Sequence, residues 1–363
     1  MDFALDDDQL ELQRSVRDFL ADRHPLERMA RIADGEAFGR DSWREIADLG
    51  WTAISIPQER GGLGLGFVEE ALVLEQLGWA LFPGPYFSSV SLALPALSAA
   101  PDLEKAVATG EKTATVAWAG ADGEFRDEDL AVAAEPHGRG WELSGMASFV
   151  PDGPTADLVA VAASGAEGPG LWAISSDALG VAVEDLPTVD TTRRLAAIRF
   201  DRAQASRLES SEEPEDILAT LRHRALAGLA AEAIGVASRA LELSVDHART
   251  REQFGRPIGV YQGVSHSLAD AFVEVESARS LAYWAAWAVG SGADEAGEAA
   301  AAAKAYTAEA AVRTCERAIQ VHGGMAFTWE HPLHRFYRRA LWIAAFMGWP
   351  STHRAGLAGS LLD

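Results

Sequence analysis

At 363 residues the chain is too long for one simple core, and two or three structural regions are expected. Its 54 acidic residues against 31 basic ones leave a formal charge of −23, which sets it against phosphate backbones and anionic membranes and speaks against nucleic acid as a partner. One cysteine, Cys315, excludes an internal disulfide and suits a reducing compartment.

The first residues, Met1 to Asp6, carry neither a basic stretch nor an apolar one, so no signal peptide is expected. Asp6 is placed to cap a helix with an acidic first turn. Leu12, Val16, Phe19 and Leu20 then repeat at the spacing of one buried helical face. Asp41, Ser42 and Trp43 open another helix, and Gly50 is suited to end it. The glycine-rich turn from Pro57 to Gly66 feeds a helix bearing Val68, Leu72, Leu74 and Leu77. It lacks the preceding strand and the Lys-Ser/Thr pair of a nucleotide-triphosphate loop, so a connecting loop is expected. The apolar run from Ala80 to Ala100 is broken by Pro83, Pro85 and Pro95, so no membrane span is expected; a soluble, cytoplasmic protein is.

From Thr113 to about Arg202 the texture is β. Short strands are expected at 115–118, 131–134, 141–143, 158–162, 171–174 and 196–200, separated by Gly, Pro and Asp clusters. Evenly spaced strands with no helices between them predict a compact antiparallel barrel or sandwich. From Glu212 onward the chain is helical and alanine-rich, with long segments near 215–250, 261–291, 296–321 and 332–347 that predict a four-helix bundle. Ala225, Gly228, Ala231, Gly235 and Ala237 thin one helix, permitting close helix approach. Cys315, beside Val312 and Ile319, reads as a buried thiol. The fold class is therefore α+β: an N-terminal helical domain over 1–112, a central antiparallel β-barrel or sandwich over 113–205, and a C-terminal four-helix bundle over 206–363.

Three strings carry a resemblance. Arg249-Thr250-Arg251-Glu252-Gln253-Phe254-Gly255 through Gly259, with Tyr261-Gln262 following, resembles the R-x-x-F-G stretch of acyl-CoA dehydrogenases. Gln320-Val321-His322-Gly323-Gly324-Met325-Ala326-Phe327 is similar to their Q-x-x-G-G-x-G-F stretch, and Pro57 to Gly64 to their P-E-x-x-G-G-x-G loop. The resemblance spans nearly the whole chain and is weakest in the β region. It implies FAD as cofactor, an acyl-CoA thioester as substrate, electron-transfer flavoprotein as acceptor and a tetramer. It also implies that the adenosine-diphosphate half of FAD lies at a subunit interface, held by Arg251, Gln253, Phe254, Gln262, Gln320, Gly323 and Gly324. A guanidinium at Arg251 suits the pyrophosphate, Phe254 a flat surface, and Gly323 and Gly324 close backbone approach.

The resemblance also marks what is missing. The reaction needs a carboxylate to take the α-proton while the β-hydrogen leaves as hydride to the flavin. The string that matches Y-E-G is Phe346-Met347-Gly348, so Met347 stands at the glutamate position, and a thioether cannot take a proton at neutral pH. The alternative position on the first bundle helix is Ala225, followed by Leu226 where an arginine is usual. Trp118 to Gly123 occupies the place of T-E-P-x-x-G-S-D, Ser148-Phe149-Val150 that of W-I-T, and Trp349-Pro350-Ser351 that of T-S-Q. Glu232, Asp246 and Glu330 read as solvated or paired helix charges rather than replacement bases, and Arg222 and Arg224 lie just ahead of the usual substrate arginine. His322, His331, His334 and His353 lack a partner at zinc spacing, so no metal site is expected. The aromatics Trp329, Phe336, Tyr337, Trp342, Phe346 and Trp349 read as core or interface.

Three readings follow. The first is the non-catalytic chain of a heterotetramer of the kind found among steroid side-chain enzymes of lipid metabolism, its partner a paralogue that carries the glutamate. The second is a self-sufficient flavin dehydrogenase with another base. The third is a flavin-family protein with different chemistry, such as β-elimination, or a binding role alone.

Overall fold

A computed structural model describes residues 5–127, 130–210 and 213–362. Met1 to Ala4 and Glu212, on which two of the expectations above fall, lie outside the described residues. Contacts divide the chain into two compact units. One comprises the N-terminal stretch up to Glu36, Phe67–Pro83 and the chain from Leu226 onward; the other comprises Ala37–Gly66 and Gly84–Ala225.

The N-terminal elements follow their caps. Helix α1 (Asp7–Arg23) opens on a capping box, in which Gln9 N–H donates to Asp6 Oδ1 at 2.8 Å and Asp6 N–H donates to Gln9 Oε1 at 3.1 Å. Helix α2 (Leu26–Ala33) follows, then α3 (Arg40–Asp48), which stops where Gly50 turns left-handed at φ 80°. The Pro57 turn leads into α4 (Phe67–Trp79), whose side chains are buried on nearly every face, so it is a core helix. A π-helical stretch Phe87–Ala93, the single turn α5 (Leu94–Ala96) and α6 (Pro101–Ala108) complete the helical part.

Seven strands follow: β1 (Ala114–Ala117), β2 (Val132–His137), β3 (Gly140–Pro151), β4 (Leu158–Gly165), β5 (Gly168–Ser175), β6 (Val181–Leu186) and β7 (Leu195–Arg207). The sheet closes on itself through β4–β2–β3–β7–β5–β4, which makes a barrel. Pairing is antiparallel except where β1 and β2 meet β4 in parallel. Leu143, Val159, Val161, Trp172, Ile198 and Phe200 fill the interior. Strand β6 lies outside the six expected strands; its middle residues are exposed, and it pairs only with β7, so it lacks the alternation that marks a half-buried strand.

Four long helices then run as α7 (Pro214–Thr250), α8 (Gln262–Ser291), α9 (Ala296–His322) and α10 (Leu333–Ala345), with a short hairpin β8 (Glu252–Gln253) and β9 (Arg256–Pro257) between the first two. A fifth helix, α11 (Pro350–Leu362), ends the described chain. Residues of α7 up to 225 belong to the second unit and those from 226 to the first. In the first unit α4 and α7 touch backbone to backbone: a Cβ on Gly78 would lie 2.2 Å from Glu232 O, and one on Gly235 only 1.8 Å from Glu75 O. That is why the thin helix face includes glycine and not only alanine. Cys315 is wholly buried, and burial pushes its thiol well above the ordinary range.

Candidate functional site

The first string forms a tight hairpin at the end of α7. Phe254 (φ 53°) and Gly255 (φ 78°) make the turn between β8 and β9. Ile258 N–H donates to Arg251 O at 2.8 Å, and Tyr261 Oη donates to Gln253 O at 3.0 Å, which pins the loop. Phe254 is an aromatic in left-handed backbone with 92 % of its surface exposed, and among the described residues its one ring contact is edge-on with Tyr261 at 6.3 Å.

The second string ends α9. Gly323 (φ 66°) breaks the helix into a 3-10 turn, Gly323–Phe327. A Cβ on Gly323 or Gly324 would meet nothing within 4 Å. Met325 and Phe327 are exposed.

A histidine stack brings the two strings together. His247, one turn before Arg251, stacks on His322 with ring centroids 4.2 Å apart and planes 22° apart; His331 tilts against His322 at 4.8 Å. The backbone fixes two of the tautomers. His322 Nδ1 lies 2.9 Å from Ala318 O and must carry the proton there, leaving Nε2 bare. His331 Nδ1 lies 3.3 Å from Leu333 N–H and must accept. Burial lowers the pKa of all three, His247 further through His322 and Arg251, and His331 falls to about 4.

Arg251, Gln253, Phe254, Gln262, Gln320, Gly323 and Gly324 are all exposed. Among the described residues the side chains of Arg251, Gln253, Gln262 and Gln320 make no hydrogen bond within the chain. A guanidinium, two open glycines and exposed aromatic surface suit a flat, anionic group approaching from outside the chain. His247 is a member that sequence reasoning misses, because nothing local marks it as a neighbour of His322.

Met347 is 8 % exposed and has φ 59°, in a turn directly after α10. Lys304 of α9, wholly buried, brackets that turn by donating to Ala344 O at 3.4 Å and to Gly348 O at 3.2 Å. It caps the end of α10 and the turn beyond it, and burial pulls its pKa down to about 7. A lone lysine closing the run Ala299–Ala303 is the available sequence signal.

Glu232 is fully buried and ion-paired with the equally buried Arg339, so it is paired rather than solvated. Asp246 faces Arg249 at 4.0 Å in solvent, and Glu330 is exposed. In the second unit Ala225 is fully buried on α7. Three residues earlier, Arg222 donates to Phe125 O and Asp127 Oδ1, both at 2.6 Å, and its guanidinium lies 4.9 Å from the Trp118 ring centre. Arg224 donates to Ser91 O at 3.4 Å. A cavity of about 260 Å³ is lined by Leu94, Leu171, Leu208, Ile217, Leu221 and Arg224. Ser148 N–H donates to Ala119 O at 2.9 Å, and Phe149, at φ 54°, packs toward Gly123. Phe336, Trp342 and Phe346 are core, whereas Trp329 and Trp349 are about half exposed, at 53 % and 54 %. No helix among the described residues is long and apolar enough to cross a membrane.

Comparison with known proteins follows the same lines. The family models described as acyl-CoA dehydrogenase N-terminal domain and C-terminal domain match residues 6–101 and 217–362. Acyl-CoA dehydrogenase IpdE2 of Mycolicibacterium smegmatis is 32 % identical over 348 residues, covering 94 % of this chain and 96 % of the relative. The crystal structure of the ChsE4-ChsE5 complex from Mycobacterium tuberculosis matches with a TM-score of 0.90 at 29 % identity, over 100 % of this chain and 99 % of the other. A point variant of the Tcur3481-Tcur3483 steroid ACAD matches with a TM-score of 0.87 at 30 % identity, over 98 % of this chain and 97 % of the other.

Proposed function

This chain belongs to the acyl-CoA dehydrogenase family, a family of oxidoreductases, and we propose that it serves there as the non-catalytic subunit of a hetero-oligomeric, FAD-dependent acyl-CoA dehydrogenase. The observation that supports the proposal is Met347: the string that resembles Y-E-G carries a thioether where that resemblance puts the glutamate, and Lys304 holds the turn it occupies. Ala225 leaves the alternative position equally without a proton acceptor.

The residues present fit FAD's diphosphate half. Arg251 would take the diphosphate, Gly323 and Gly324 would admit it against backbone, and Phe254 and Gln320 would flank it. FAD, when bound, supplies the hydride acceptor for α,β-desaturation of the acyl thioester. This chain's part is to bind, orient and exclude water, while the α-proton goes to a glutamate of a paralogous subunit. The three expected domains, 1–112, 113–205 and 206–363, a cytoplasmic setting and electron-transfer flavoprotein as acceptor belong to the same reading. Two of the solved relatives are named as pairs of chains, and one of those as a steroid enzyme, which favours a heterotetramer and a steroid-derived acyl group.

An anaerobic titration tests this. Acyl-CoAs, steroid thioesters included, should leave the oxidised-flavin band of the chain alone unchanged and bleach it once the glutamate-bearing paralogue is co-expressed. Bleaching by the chain alone overturns the proposal in favour of a self-sufficient dehydrogenase.

A further inference from the structure

The histidine stack lies between the two strings and has no part in the reaction above. We infer that His247 and His322 form a proton-linked half of the diphosphate site: one proton enters the stacked pair when an anionic diphosphate settles on Arg251. This deepens the proposed function and rests on its placement of the cofactor's diphosphate at Arg251.

Arg251 follows His247 by one helical turn, its N–H donating to His247 O at 2.8 Å, and its positive charge acts on the His247 ring. An anion that neutralises this guanidinium therefore acts on the same ring. The rings of His247 and His322 are 4.2 Å apart, so two imidazolium charges cannot coexist there, but one can be shared. His322 has a bare Nε2 because its Nδ1–H is committed to Ala318 O, so it is ready to accept. His331 is not: its Nδ1 already accepts from Leu333 N–H, and protonation there would break that bond.

Apart from Asp34, which faces His334, the charged groups around the stack are basic. From α7 comes His247, from the residue after it Arg251, from α9 His322, and from the segment that follows α9 His331. His334 presses on His331 from α10, and is itself surrounded by Arg335, Arg338 and Asp34. Without an anion, Arg251 and the neighbouring rings repel a proton from the stack, and burial opposes it too. A diphosphate at Arg251 reverses the sign of the local field and draws a proton in.

The test is calorimetric. FAD is titrated into the deflavinated assembly at pH 6 to 8 in buffers of different ionisation enthalpy. Binding should take up a proton, approaching one per FAD near pH 7, and the Kd should rise by up to about tenfold per pH unit. In H247F/H322N the uptake should vanish and the Kd should become flat with pH; a merely structural role for the stack would weaken binding without removing the pH slope. Zero uptake in the unmodified protein, or equal uptake in the double variant, overturns the inference while leaving the cofactor site standing. If R251M binds FAD as tightly as the unmodified protein, the cofactor placement itself fails, and the inference with it.

Discussion

Two sets of glycine and arginine in the first unit look alike in sequence and differ in what stands beside them. Gly78, Gly235 and Arg339 are interior: a Cβ on either glycine would strike backbone, and Arg339 is fully buried against Glu232. Gly324 and Arg251 are exterior: the glycine has nothing within 4 Å, and the guanidinium side chain makes no hydrogen bond within the described chain. The interior set is explained by the chain's own packing. The exterior set has no such packing within the described chain, and in the proposed reading it meets the cofactor. Residue type alone does not separate packed glycines from open ones; the neighbouring atoms do.

That contrast can be broken at several points. R339L should cost about 3–5 kcal/mol in a urea titration, because Glu232 would stay buried after losing its Arg339 partner; a cost under ~1 kcal/mol would mean that the pair is not what holds α7 to α10. Lys304 gives the next effect, with its sign fixed by linkage. Its folded pKa, about 7, lies below the unfolded value, so the unfolded chain binds more protons above neutrality and stability rises as pH climbs from 7 toward 10. This component, on the order of 3 kcal/mol by pH 10, should be absent from K304M when the two proteins are compared at each pH. G235A forces α4 and α7 apart and should cost about 1–3 kcal/mol. G324A should change stability by less than about 0.5 kcal/mol, since its Cβ meets nothing, and still weaken FAD binding roughly tenfold. Should G324A prove as destabilising as G235A, the distinction between the two sets would collapse.

Much of the fold is legible in the sequence because its signals are local. The Asp6 cap, Gly50 and the 3.6-residue periodicity place α1, α3, α4 and α7 to α10 closely, whereas α2, α6 and α11 are not among the expected helices; turn clusters place six of the seven sheet strands. Strand β6, Val181-Ala-Val-Glu-Asp-Leu186, escapes because an edge strand with exposed middle residues carries no apolar alternation. The parallel pairing of β1 with β4 cannot be read either, since it joins segments about forty residues apart. The two strings around Arg251 and Gly323 are visible as strings. Their junction is not: His247 and His322 are 75 positions apart (322 − 247) and meet only through the packing of α7 and α9. Lys304 escapes for the same reason, because its two acceptors lie at the far end of α10 and in the turn after it.

The sealed position of Cys315 has a practical consequence. It is the chain's one thiol, has no exposed surface, and its burial keeps it from ionising. A cysteine placed at Phe254, where 92 % of the side chain faces solvent, would therefore be the only site on the native protein that a maleimide or nitroxide reagent can reach. The unmodified protein thus serves as its own blank for site-specific labelling. A spin label at residue 254 would report, through its mobility and its distance to a second label, when and by what the hairpin becomes covered.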